Sequence, residues 1–196
     1  MVDENPLDPQ EASERFHALV WPLLPTALRI AKILTGNDAD AEELAQEAML
    51  KAFRSMHRFQ TGTDCKSWLM TILRNAHVDQ MRKSARKNAQ VSLEHLPEPA
   101  APKPSAATDI DDIRQNPQVI LSGFTDQQMI NGLQDLPEEI RWTLLLIDVE
   151  GMKDAEAAAI LEVPVGTVKS RAHRGRAMLR NSLLSLMPTA RALRSE

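Results

Sequence analysis

A single cysteine, Cys65, stands in this chain of 196 residues. A lone thiol excludes an internal disulfide framework and any cysteine-only zinc site, and it fits a reducing compartment. His57, His77 and His95 keep no metal-ligand spacing with Cys65, so surface or helix-packing roles are assigned to them. Tyrosine is absent, and no run of Val, Ile and Thr alternates with polar residues, which leaves little from which to build a sheet. Met1 to Glu14 is acidic and polar and lacks the basic start and apolar core of a secretory signal. No apolar run reaches the roughly 20 residues of a membrane helix, so a cytoplasmic protein without membrane insertion is expected. Neither a glycine-rich phosphate loop nor a nucleophile beside a base occurs in a recognisable setting. No enzyme, no cofactor and no metal are therefore expected.

What is abundant is Ala, Leu, Arg, Glu, Gln and Met, the strong helix formers. The expected fold is all-α, with two small helical domains joined by a flexible linker and no internal repeat. Residues 1–14 read as a disordered tail. Residues 15–87 read as a first lobe of three helices: one from Phe16 to Thr35 despite Pro22 and Pro25, one capped by Asp38 or Asp40, and one from about Cys65 to Lys83. The buried stripe of the second is Ala45, Ala48, Met49, Ala52, Phe53 and Met56; that of the third is Trp68, Leu69, Ile72, Leu73 and Ala76. Residues 88–124 hold Pro97, Pro99, Pro102, Pro104 and Pro117 with scattered acids and few large apolar groups. Such a stretch cannot offset its ordering entropy by burial and reads as an acidic linker. Residues 125–187 form the second lobe, with Pro137 in the first turn of a helix that Gly151 ends. A short helix from Asp154 to Leu161 and a turn at Glu162 and Val163 then lead into a long helix opened by Pro164 or Val165. Residues 188–196 are a tail.

The net charge of −4 argues weakly against nucleic acid, but its distribution matters more than its sum. From Val163 to Ser195 there is no acid, while Lys169, Arg171, Arg174, Arg176, Arg180, Arg191 and Arg194 are basic. At about 100° per residue Val168, Ala172, Gly175 and Leu179 share the inner face of the last helix. Thr167, Ser170, His173 and Arg174 point outwards, with Lys169, Arg171 and Arg176 on the flanks. The preceding helix carries Ala155, Ala158 and Ala159, small enough for close approach across a short turn. This is the pattern of a helix-turn-helix, whose second helix enters the major groove amino end first. Thr167, Ser170 and Arg174 then lie near base edges, and Lys169 and Arg171 near phosphates. An amphipathic surface helix with solvated arginines is the plain alternative.

Leu136-Pro137-Glu138-Glu139, Asp148-Val149-Glu150-Gly151 and Pro164-Val165-Gly166-Thr167-Val168-Lys169-Ser170-Arg171, followed by His173-Arg174, closely resemble the promoter-reading domain of bacterial extracytoplasmic-function sigma factors. In the first lobe, Asp40-Ala41-Glu42-Glu43-Leu44-Ala45-Gln46-Glu47 resembles the family helix that docks on core RNA polymerase. Phe59 to Gly62, Lys66, Trp68-Leu69, Ile72-Leu73-Arg74-Asn75, Asp79 and Arg82 resemble its promoter-melting segment. The resemblance implies a polymerase contact through Asp40, Glu43, Gln46 and Glu47. It implies opening of the start-proximal promoter element by Phe59, Gln60, Lys66, Arg74, Asn75, Arg82, Lys83 and Arg86. It implies reading of the start-distal element by Thr167, Lys169, Ser170, Arg171, His173 and Arg174. Core RNA polymerase, promoter DNA and an anti-sigma factor are the implied partners. Trp68 belongs to the apolar stripe and is assigned to the core, whereas Phe59 is open to either packing or base stacking. The sequence departs from the family pattern at Met152-Lys153-Asp154-Ala155 and at Gly175, where a small helix former such as Ala is usual. A stand-alone helix-turn-helix regulator and a sigma mimic that never touches DNA stay open as alternatives.

Overall fold

The computed structural model describes residues 8–60, 62–91 and 126–186. The first lobe comprises α1 (Pro9–Leu19), a 3-10 turn (Trp21–Leu23), α2 (Leu24–Thr35), α3 (Asp38–Arg54), a second 3-10 turn (Met56–Arg58) and α4 (Cys65–Val91). The second comprises α5 (Asp126–Gln134), α6 (Glu138–Leu144), a π turn (Leu145–Val149), α7 (Asp154–Leu161) and α8 (Val165–Leu186). No strand occurs among the described residues.

Several boundaries differ from the sequence expectation, each for a local reason. Residues 9–14, assigned to a disordered tail, open α1 instead: Pro9 supplies the fixed φ of a first helical position, and Phe16 anchors the helix by burial. The single helix expected from Phe16 to Thr35 is two, because Pro22 and Pro25 each sit at the start of a new helical turn. The window Gln10–Thr35 meets the length and hydropathy of a membrane span, contrary to the expectation from apolar runs. Here it is broken by the 3-10 turn, and Val20, Ala27, Ile30, Ala31, Ile33 and Leu34 are buried. The cap of α3 is Asn37, whose Oδ1 accepts from the Asp40 N–H at 2.8 Å, and not Asp38 or Asp40. Asp38 and Asp40 lie in the first turn, where the helix dipole favours them. α4 runs on to Val91, past the expected end at Lys83 and into the expected linker. Pro137 is the residue before α6, with ψ 139, rather than a first-turn residue. The rest of the linker, residues 92–124, and the tail, residues 188–196, lie outside the described residues.

The first core gathers Leu44, Ala45, Ala48, Met49, Ala52 and Met56 from α3 and its following turn with Leu69, Met70, Leu73 and Ala76 from α4. Each such fully buried Leu or Met contributes about 1.5–3 kcal/mol relative to exposure. Phe53 is the exception in the expected stripe: it is exposed, with its ring edge-on to Phe16 at 5.2 Å. Trp68 and Ile72 are only partly buried against the core. In the second lobe Val168, Ala172, Gly175 and Leu179 are all buried, as the helical arc requires.

Arg141 organises the second lobe in a way that periodicity does not reveal. Its guanidinium donates to the carbonyls of Leu133 at 3.0 Å and Leu136 at 2.9 Å, and to that of Gln134. It thereby satisfies the carbonyls left open at the end of α5. A further bond reaches the Leu34 carbonyl of the first lobe at 3.3 Å.

Candidate nucleic-acid interface

The helix-turn-helix is α7 and α8. The Glu156 carboxylate accepts from the Lys153 N–H at 2.9 Å and ties down the start of α7. Glu162 ends α7 in the left-handed region at φ 56, a conformation that costs a non-glycine residue about 1–2 kcal/mol. That single residue turns the chain so that α8 can begin. On α8, Lys169, Ser170, His173 and Arg174 are exposed, Thr167 and Arg171 are half-buried, and the Ser170 hydroxyl donates to the Thr167 carbonyl at 2.9 Å.

The acid-free run of the sequence is not acid-free in space. Arg171 is ion-paired with Glu139 of α6, and Arg176 meets Asp148 through two bonds, of 3.0 and 2.7 Å. The Asp148 carboxylate holds the Arg176 guanidinium more firmly in its charged form. These pairs orient the flanks of α8. Among the described residues no ion pair holds Lys169 or Arg174. The outward cationic face is therefore Lys169 and Arg174, with Arg171 directed from behind.

The first-lobe candidates fall into three groups. Gln60, Asn75, Arg82, Lys83 and Arg86 are exposed. Phe59 is buried, with its ring 5.1 Å from that of Trp68. Lys66 and Arg74 face the second lobe: Lys66 Nζ lies 2.7 Å from Glu150 Oε2, and Arg74 3.7 Å from Glu162. Between α3 and α4, Lys51 bridges to Asp79 at 3.1 Å, and this hydrogen bond keeps the Asp79 carboxyl below its ordinary range. On α3, Asp40, Glu43 and Gln46 are exposed, and Glu47 is half-buried beside Lys51 at 3.0 Å.

The two lobes are packed together, and no sequence pattern pairs the residues that join them. Charged and aromatic partners far apart in a chain leave no periodicity. α4 lies against α7, and α2 against α5. His77 of α4 is buried, and its Nδ1 accepts from Trp142 Nε1 at 3.4 Å while lying 3.3 Å from Glu138. Burial pushes the His77 imidazole below its ordinary range, Glu138 pulls the other way, and Arg141 adds to the depression. A histidine depressed in the packed state binds fewer protons there than when exposed. Its contribution to packing is thus complete above the exposed value of about 6.5 and is lost as pH falls below it. Trp142 fluorescence is expected to report progressively looser packing as pH falls below about 6.5. His77→Gln should flatten that profile; an unchanged profile would remove His77 from the pH response.

Comparison with known proteins agrees with this geometry. A family model described as Sigma-70 region 2 matches residues 19–87, and one described as Sigma-70, region 4 matches residues 126–179. The two lobes in this order define a transcription factor of the sigma-70 type. The chain is 35% identical over 172 residues to the RNA polymerase sigma factor CarQ of Myxococcus xanthus, covering 88% of this chain and 91% of that protein. It is 30% identical over 157 residues to the ECF RNA polymerase sigma factor EcfG of Rhodopseudomonas palustris, covering 80% and 78%. With the ECF sigma factor SigE of Mycolicibacterium smegmatis it shares 35% identity over 174 residues, covering 89% of this chain and 63% of that longer protein. The chain belongs to the extracytoplasmic-function RNA polymerase sigma factors. Among solved structures, the sigma factor RpoE of Bartonella quintana, crystallised with the anti-sigma factor NepR, superposes with a TM-score of 0.67 at 30% identity, covering 89% of this chain and 99% of that one.

Proposed function

We propose that this chain is a dissociable initiation subunit that binds core RNA polymerase and directs it to promoters, working in the cytoplasm and catalysing no chemistry of its own. The supporting observation is the ordered pair of lobes, in which α8 presents Lys169, Ser170, His173 and Arg174 outwards while α4 ends in exposed Arg82, Lys83 and Arg86. In this reading the exposed polar face of α3, with Asp40, Glu43, Gln46 and Glu47, docks on polymerase. α4 with Gln60, Lys66, Arg74 and Asn75 holds the melted start-proximal element. Opening a duplex costs a few kcal/mol per unstacked base, which a cationic groove and a receiving pocket offset. The buried Phe59 serves that loop as packing behind Gln60. α8 reads the start-distal element, Thr167, Ser170 and Arg174 at base edges and Lys169 and Arg171 at phosphates. An anti-sigma factor holds the chain inactive until it is needed.

The direct test is transcription by core polymerase from a random promoter library, with and without the purified chain. Enrichment of a two-part promoter only when the chain is present is the expected result. No chain-dependent transcript from any selected DNA would sink the reading.

A further inference from the structure

Glu150 is a carboxylate of the second lobe sealed by the first. Its side chain is 1% exposed, and both of its oxygens are taken by cations of the other lobe. Arg29 on α2 approaches Oε1 at 2.5 Å, and Lys66 on α4 approaches Oε2 at 2.7 Å. Lys66 also donates to the backbone carbonyl of Glu150 at 2.8 Å. The π turn and Gly151, at φ 67, place Glu150 there: its N–H bonds the Leu145 carbonyl at 2.9 Å. Two cations from different helices that converge on the two oxygens of one anion make a cleft shaped for an oxyanion. The cationic side of that cleft belongs wholly to the first lobe. Among the described residues, no first-lobe carboxylate pairs with Arg29 or Lys66.

Other polar contacts also join the lobes. They include Arg74 with Glu162, Gln134 with the Lys32 carbonyl, Arg141 with the Leu34 carbonyl, and His77 with Trp142. Interfaces of this kind permit domain separation. A buried ion pair is weak evidence for stability, because desolvation offsets much of its attraction. On separation Glu150 regains water, whereas Arg29 and Lys66 lose the one carboxylate that both of them hold. An anion that presents two oxygens to them is what the vacated cleft takes.

We propose that Arg29 and Lys66 form a site for one backbone phosphate of promoter DNA, and that Glu150 fills this site as an internal stand-in while the lobes are packed. Phosphate seating and lobe separation are then a single exchange. The inference rests on the DNA-facing role given above to Lys66, and it adds Arg29, which neither periodicity nor the family motifs single out. A polyanion fits better than a free phosphate ion because the cations continue along α4. Arg74 comes next, about 12 Å along the helix at 1.5 Å per residue and itself held by a second-lobe acid.

The test uses the full chain, with small-angle scattering for lobe packing and a mixed-sequence single-stranded oligonucleotide as probe across a salt series. Glu150→Gln is expected to expand the chain and to tighten oligonucleotide binding about fivefold or more. Arg29→Gln alters a half-exposed side chain and is expected to expand the chain without that gain. The double variant should bind like Arg29→Gln, with a salt slope shallower than that of Glu150→Gln by about 0.7, the signature of one lost phosphate contact on a single strand. If circular dichroism shows that Glu150→Gln perturbs folding, Glu150→Asp takes its place, keeping the charge but not the reach to both cations. Unchanged scattering in both single variants overturns the proposal. So does an Arg29→Gln chain that binds the oligonucleotide as tightly as Glu150→Gln. Failure of the promoter-directing function would show separately, as a wild-type holoenzyme without promoter-dependent transcript.

Discussion

Arg174→Glu is expected to lower promoter-dependent transcription by at least about 100-fold while leaving association with core polymerase unchanged. Arg174 is exposed on the outward face of α8, and no ion pair among the described residues holds it. Its replacement therefore breaks nothing in the lobe, and surface changes of this kind alter stability by only about 0.5 kcal/mol. A base-edge contact by arginine is worth about 1–3 kcal/mol. Reversing the charge removes that contact and adds repulsion from neighbouring phosphates, so the total exceeds the roughly 2.8 kcal/mol that a hundredfold change represents. Lys169→Gln is the useful comparison: as a phosphate contact it should weaken all promoters alike and lower the salt slope by about 0.9. The measurement is run-off transcription alongside pull-down of core enzyme. A chain that acts as a mimic, through proteins alone, would be indifferent to Arg174→Glu in both assays.

The second large effect concerns stability. Gly175→Val is expected to destabilise the second lobe by about 3 kcal/mol or more, and Gly175→Ala by a smaller amount in the same direction. Helix propensity predicts the opposite sign for Ala, a gain of about 1 kcal/mol over Gly within a helix. Packing reverses it. A Cβ at position 175 would lie 2.5 Å from Cγ2 of Ile140 and 3.1 Å from Cδ1 of Leu144. Ile140 and Leu144 are both buried on α6, and the nearest atom hangs directly from a branched Cβ, so relief requires a rotamer change in a filled core or a shift of α6. Overpacking of this kind costs about 1–3 kcal/mol, more than propensity returns. Val adds two further carbons and a β-branch. Urea unfolding followed by far-ultraviolet circular dichroism decides the matter, and an Ala variant more stable than the wild type would show that α6 yields without cost.

Gly175 also marks where sequence reasoning stops. Its inward direction follows from the arc it shares with Val168, Ala172 and Leu179, and all of these are buried. Against the family pattern it looks like a weakness in the helix. Only the position of Ile140 turns it into a requirement for close approach of α6 and α8.

Glu150 and Gly151 make the same point on a longer scale. Glycine after an apolar helical run is legible as a helix end, and the chain does turn there, at φ 67. That the preceding residues widen into a π turn, and that Glu150 thereby reaches Arg29 and Lys66, depends on partners 121 and 84 residues away. The acid-free run after Val163 likewise foretold a cationic α8, yet Glu139 and Asp148 return to pair with Arg171 and Arg176.

By itself, then, the sequence determined most of the helices, most of their buried stripes, the order of the two lobes and the outward direction of Ser170, His173 and Arg174. All of these follow from local geometry, the 3.6-residue turn and the residues that start or stop it. The tertiary structure alone decided which cations stay free and which are held, where Phe59 lies, why position 175 has no side chain, and that the lobes meet around Glu150. Those outcomes rest on contacts between residues distant in the chain, whose distances only the packed backbone sets.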